Sequence, residues 1–117
     1  MATYFANVTL FDGRTVRTRA GVLVSDGRIA WVGSHARAPR EARAAHEVEG
    51  AGRTLIPGLI DCHVHLCFEG LSDFEGEARG LSEARATLKA VRNLVRHLER
   101  GVTTVRDLGG IGAVACE

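Results

Sequence analysis

Cysteine is scarce: three residues of 117, Cys62, Cys67 and Cys116. A count that is small, odd and without a CxxC pair excludes a disulfide framework, and a reducing, cytoplasmic setting is the expectation. Charge of one sign is lacking too. Fifteen basic and fourteen acidic side chains leave a formal net charge of +1, so the one-signed surface that holds nucleic acid or a membrane face is missing, and neither partner is expected. Lysine occurs once, at Lys89, and the arginines are scattered. No window approaches 18 uncharged apolar residues, which argues against a membrane-spanning helix. The N-terminal stretch has no basic start and its apolar run is cut by Asp12 and Arg14, so no signal peptide is expected. Repeats and low-complexity segments are absent. What remains, 45% hydrophobic and 25% charged, is the composition of a globular protein rather than a disordered one, with room for one small domain or part of a larger one.

The first third reads as β-structure. Tyr4 to Phe11 is rich in aromatic and β-branched residues and stops at Asp12-Gly13. Thr15 to Arg19 alternates weakly, Val22-Leu23-Val24 leads into Asp26-Gly27, and Ile29 to Val32 follows. Asp-Gly between apolar runs predicts a type I′ hairpin turn, and two of them predict an antiparallel meander. The triplet Asn7-Val8-Thr9 fits a glycosylation acceptor but reads as incidental strand sequence. Residues 34–53, Ala-rich and charged, read as a solvated connector or short helix, with His35 and His46 at the surface.

From Leu59 to Leu66 the chain is a mostly apolar run of strand length, as in a strand buried on both faces of a parallel sheet. Pro57-Gly58 stands at its start, where no ladder hydrogen bond need be donated. A polar stretch, Glu69 to Gly80, follows. Ser82 to Arg100 then carries a helical stripe of Ala84, Leu88, Val91, Leu94, Val95 and Leu98, with Ser82 as N-cap and Gly101 just past the end. Val102 to Val105 is β-branched throughout, so strand, helix and strand predict two parallel strands with a crossover between them. A further helix could start at Ile111.

The chemistry sits in one place. His63 and His65, one residue apart on a strand, emerge on the same face and can grip one metal ion, and period two puts Asp61 on that face as well. The pair also stands near the C-terminal end of its strand, where α/β barrels assemble their sites. Two satisfied core histidines are the other reading of the pair. A compact cluster of Cys62, His63, His65 and Cys67 is disfavoured, because alternation turns Cys62 away; Cys62 reads as a packing residue. His97 reads as a solvated histidine near a helix C-terminus. Arg106 and Asp107 either shape a pocket or serve local structure, and the glutamates of 69–77 are expected in solvent.

The segment Leu55-Ile56-Pro57-Gly58-Leu59-Ile60-Asp61-Cys62-His63-Val64-His65-Leu66 resembles the first barrel strand of the amidohydrolase superfamily, Pro-Gly-apolar-apolar-Asp-x-His-x-His. Gly101 to Asp107 is similar to that superfamily's second strand, and Gly21 to Gly33 to the small β-sandwich domain preceding its barrel. The ending Thr103-Thr104-Val105-Arg106-Asp107-Leu108-Gly109-Gly110 looks most like the imidazolonepropionase-like and Xaa-Pro dipeptidase branch. The resemblance implies an α/β fold: residues 57–117 as the first βαβ unit of a TIM (β/α)8 barrel, preceded by residues 1–56 as part of the β-sandwich domain. It implies a metal-dependent hydrolase of an amide, peptide or cyclic amide C–N bond. One or two divalent ions, zinc or similar, would be held by His63 and His65 with ligands from later strands, and metal-activated water would attack. The substrate would be a small amide or dipeptide-like molecule, and the full-length enzyme could be a homo-oligomer. A deaminase of the same superfamily and a non-catalytic binding module are the alternatives. Because such a barrel needs about 250 residues, the chain is expected to be an N-terminal portion, inactive alone, whose later ligands and proton-shuttling aspartate are missing; Asp107 does not replace the latter. Two parallel strands without neighbours are expected to leave apolar faces and open edges.

Overall fold

The structure, a computed structural model, describes residues 1–70 and 73–110. It forms two compact units, Met1–Pro57 and Gly58–Glu117. The expected helix from Ile111 and Cys116 lie outside the described residues.

Unit 1 is a five-stranded sheet. Strands β1 (Ala2–Phe11), β2 (Val16–Ser25) and β3 (Arg28–Ser34) form the antiparallel meander that the sequence predicts. Its two turns differ. Asp26 and Gly27 both have positive φ (52° and 74°), as a type I′ turn requires. At the first turn only Gly13 is left-handed (φ 92°). There Asp12 accepts hydrogen bonds from the Arg14 and Thr15 N–H groups and the Thr15 hydroxyl at 2.8–2.9 Å. This carboxylate-built loop is longer than a two-residue turn.

β1 carries core on both its faces. Tyr4 and Ala6 pack with Leu23 and Ala42, whereas Val8 and Leu10 pack with Ala20 and Val22. Strict alternation would put all four β1 residues on one side. Asn7 prevents this: its left-handed backbone (φ 52°) coincides with a register shift between Phe5 and Val8 that re-aims the strand. Asparagine is among the few residues that adopt this conformation at low cost.

Residues 34–53 are more ordered than their composition suggests. Two 3-10 turns, His35–Arg37 and Arg40–Ala44, lead into β4 (His46–Glu49), which pairs parallel with β1, and β5 (Thr54–Leu55) does the same further along. His46 lies exposed on β4. His35 is not a surface residue as expected: it is half-buried, with Nδ1 2.9 Å from the Tyr4 hydroxyl and its ring stacked on the tyrosine. Burial pushes the Tyr4 phenol above its ordinary value, and the nearby Glu47 carboxylate adds to the effect.

Unit 2 contains β6 (Leu59–Val64), α1 (Phe74–Arg79), α2 (Glu83–Glu99) and β7 (Val102–Asp107), with β6 and β7 parallel. α2 begins where expected, the Ser82 side chain accepting from the Arg85 N–H, and ends at Gly101 with φ 82°. α1 was hidden in the polar stretch; Asp73 caps it by accepting from the Gly76 N–H at 2.8 Å. β6 is not buried on both faces as predicted, since Leu59 and Ile60 are exposed among the described residues. α2 packs through Ala86, Ala90 and the partly covered Leu94, toward Val64, Leu66, Leu81, Cys67 and Phe68. At 100° per residue Leu88, Val91, Val95 and Leu98 of the apolar stripe lie on the opposite side of the helix from Ala86 and Ala90 and are exposed, whereas Leu94 of the same stripe is on the packed side.

Candidate metal centre

His63 is the penultimate residue of β6, and His65 is the first residue beyond that strand. Their ring centroids are 5.5 Å apart at an interplanar angle of 72°. Two imidazoles meeting on one tetrahedral zinc, with Zn–N of about 2.0–2.1 Å, would set their centroids about 5 Å apart. The ring spacing is compatible with a single ion between them. His65 Nδ1 lies 2.7 Å from the Gly109 carbonyl oxygen just after β7. With Nδ1–H donated there, Nε2 is the nitrogen that a metal would take, and a backbone carbonyl behind the ring is the usual support of a metal-bound histidine. Asp107 holds the preceding peptide in turn, its Oδ1 accepting from the Gly109 N–H at 3.0 Å.

Asp61 lines the same cleft as the two histidines, and a register shift between Asp61 and Val64 interrupts the pairing of β6 with β7 there. Asp61 Oδ1 accepts from the His63 N–H at 3.1 Å, and its Oδ2 lies 3.9 Å from Nε2 of His97 on α2. His97 is thus half-buried rather than solvated; its Nδ1 donates to the Asn93 carbonyl at 2.8 Å. Asn93, which no sequence signal singled out, donates from Nδ2 to the carbonyls of Leu66 (2.8 Å) and Phe68 (3.0 Å). Its spacing with His97 was the available clue: i and i+4 on the side of α2 away from the apolar stripe, which composition alone assigns to water. Asp61, His63, His65, Asn93, Arg96 and His97 share one cleft of about 400 Å³.

Of the loop glutamates Glu75 lies in solvent as expected and Glu69 is exposed but paired, whereas the Glu77 side chain is buried against Lys89. Glu69 pairs with Arg92, with Lys89 (3.8 Å) and with Arg96 (3.9 Å). The hydrogen bond from Arg92, with the charges of Arg92, Lys89 and Arg96, holds its carboxyl below the ordinary glutamate range. Arg106 Nε donates to the Cys62 carbonyl at 2.8 Å, joining β7 to β6; Arg106 and Asp107 both make local structural bonds. Cys62 is exposed and Cys67 is buried, the reverse of the packing role expected of Cys62. Among the described residues no group of three or more His, Cys, Asp or Glu side chains is arranged to hold an ion, and none of their helices is long and apolar enough to cross a membrane.

The sequence model of the Amidohydrolase family matches residues 54–115. The chain is 53% identical over 125 residues to the imidazolonepropionase of Ralstonia nicotianae, covering 86% of this chain and 31% of that protein. It is 40% identical over 119 residues to the imidazolonepropionase of Aromatoleum aromaticum, covering 80% of this chain and 29% of that protein. Among solved structures, the ochratoxinase of A. niger superposes with a TM-score of 0.80 at 28% identity, over 98% of this chain and 27% of the other. The chain thus spans somewhat under a third of the length of these relatives. With its His63/His65 strand inside the matched segment, the chain belongs to the amidohydrolase family, on its imidazolonepropionase-like branch.

Proposed function

We propose that the protein carrying these residues is a metal-dependent hydrolase of a carbon–nitrogen bond in a small amide, dipeptide-like or cyclic amide substrate, with His63 and His65 as two of its metal ligands. One observation carries the reading: the two imidazoles stand 5.5 Å apart at the C-terminal end of β6, with His65 backed by the Gly109 carbonyl. Bound there, a divalent ion such as zinc supplies a water of lowered pKa and polarises the scissile carbonyl. The chain's own residues do the holding. Gly109 selects the His65 tautomer, Asp61 fixes the His63 backbone, and the cleft beside them gives a substrate access. In this reading residues 57–117 open a (β/α)8 barrel and residues 1–56 belong to a small β-sandwich domain. Further donors come from outside the described residues. The imidazolonepropionase relatives support the cyclic amide as the leading substrate class.

The test is metal content and turnover of the whole gene product. His63→Ala and His65→Ala are each expected to cut bound metal several-fold and turnover at least about a hundredfold, as loss of a liganding side chain does. Undiminished metal and activity in the double variant overturn the assignment.

A further inference from the structure

The turn that follows the metal-ligand strand is held from α2 by one carboxamide. His65 opens it, its carbonyl accepting from the Phe68 N–H at 3.1 Å. Asn93 Nδ2 donates to the carbonyls of the second and fourth residues, Leu66 and Phe68, at 2.8 and 3.0 Å. The next residue, Glu69, is bound to Arg92 and Arg96, which flank Asn93 on the same helix. Asn93 is itself seated, because its own carbonyl accepts from His97 Nδ1 at 2.8 Å and its Oδ1 accepts from Arg96 at 3.4 Å. His65 is thus held at its ring by Gly109, while the turn it opens is held by Asn93. Both carbonyls belong to buried residues, so the carboxamide satisfies two acceptors away from water and, by binding both at once from α2, also fixes where the turn sits.

We propose that Asn93 is a positioning residue for the metal ligand His65, fixing the turn 65–68 so that the His65 imidazole stays aligned with that of His63. The inference rests on the reading of these histidines as metal ligands.

The test measures zinc affinity by competition with a chromophoric chelator, together with the visible spectrum of the cobalt-substituted protein, in the whole gene product. Asn93→Ala is expected to weaken zinc binding tenfold or more, the scale of lost outer-shell support, and to change the cobalt spectrum. Asn93→Gln, which keeps the amide donors, should restore part of both. Ser82→Ala, which loosens the same helix at its cap without touching the turn, should lower the melting midpoint and leave both metal readouts unchanged. Zinc affinity and cobalt spectrum unchanged in Asn93→Ala overturn the proposal, whatever the melting midpoint. Should Asn93→Ala fail to fold, Asn93→Asp, of the same shape but without the donors, is read in the same way. Wild-type protein that binds no zinc, or His65→Ala that binds it undiminished, overturns the metal reading and this proposal with it.

Discussion

Lys89 ends between two glutamates, its Nζ 2.7 Å from Glu77 and 3.8 Å from Glu69. The Glu77 side chain is only 5% exposed and its Oε1 also accepts from the Glu69 N–H at 2.8 Å, so loss of the ammonium removes a charged partner from a buried carboxylate. Lys89→Met keeps the stem and removes the charge; it is expected to lower stability by about 2 kcal/mol, the scale of a hydrogen bond to a charged group, read from the melting midpoint of unit 2. Glu69 gives a pH signature. Its carboxyl is held down chiefly by the Arg92 hydrogen bond, so its contribution is complete above the ordinary glutamate value of about 4.3. It is lost as pH falls through Glu69's own lower value. Glu69→Gln should therefore melt below wild type at pH 6, and the two curves should converge in acid; a constant gap across that range would refute the pairing. At this scale the closeness of the His63 and His65 rings was legible, because two histidines flanking one residue at the end of a strand are a local pattern. Asn93 and His97 were not, because their partners lie in a distant turn and strand, and only the packing of α2 brings them together.

At the scale of elements, α2 shows why a pattern can be read correctly and its orientation missed. The stripe is there and the helix forms as its caps predict, yet the helix packs through Ala86, Ala90 and only Leu94 of the stripe. Leu88 (71% exposed) and Val95 (49%) look away from the unit's own core. The 117-residue chain expressed alone is therefore expected to bind a hydrophobic dye and to self-associate. Lys at both positions should suppress dye binding several-fold without reducing helical circular dichroism, because neither side chain contributes to the buried clusters; undiminished dye binding would contradict this orientation. β4 escaped detection for a different reason. It is four residues long, three of them charged or imidazole-bearing, and it pairs in parallel with a strand far away in sequence. Both hairpins were legible in place because turn chemistry is local, but only Asp26-Gly27 takes the expected two-residue form. Asn7 was not, since only the two cores flanking β1 reveal where its alternation switches.

On the scale of the whole molecule, unit 1 assembles around β1, which pairs antiparallel with its neighbour in sequence and parallel with β4 and β5. Those two kinds of partnership imply an order of events in time. The β1–β2–β3 meander closes over short turns and loses little chain entropy, whereas β4 must return across two 3-10 turns before Val48 can meet Phe5. The rate-limiting barrier should therefore be crossed with the meander formed and β4 still undocked. Val48→Ala is expected to leave the refolding rate within about twofold while accelerating unfolding about fivefold, the kinetic mark of an interaction made after the barrier. Stopped-flow refolding of the pair of proteins measures both limbs, and a slowed refolding limb would place β4 in the nucleus instead.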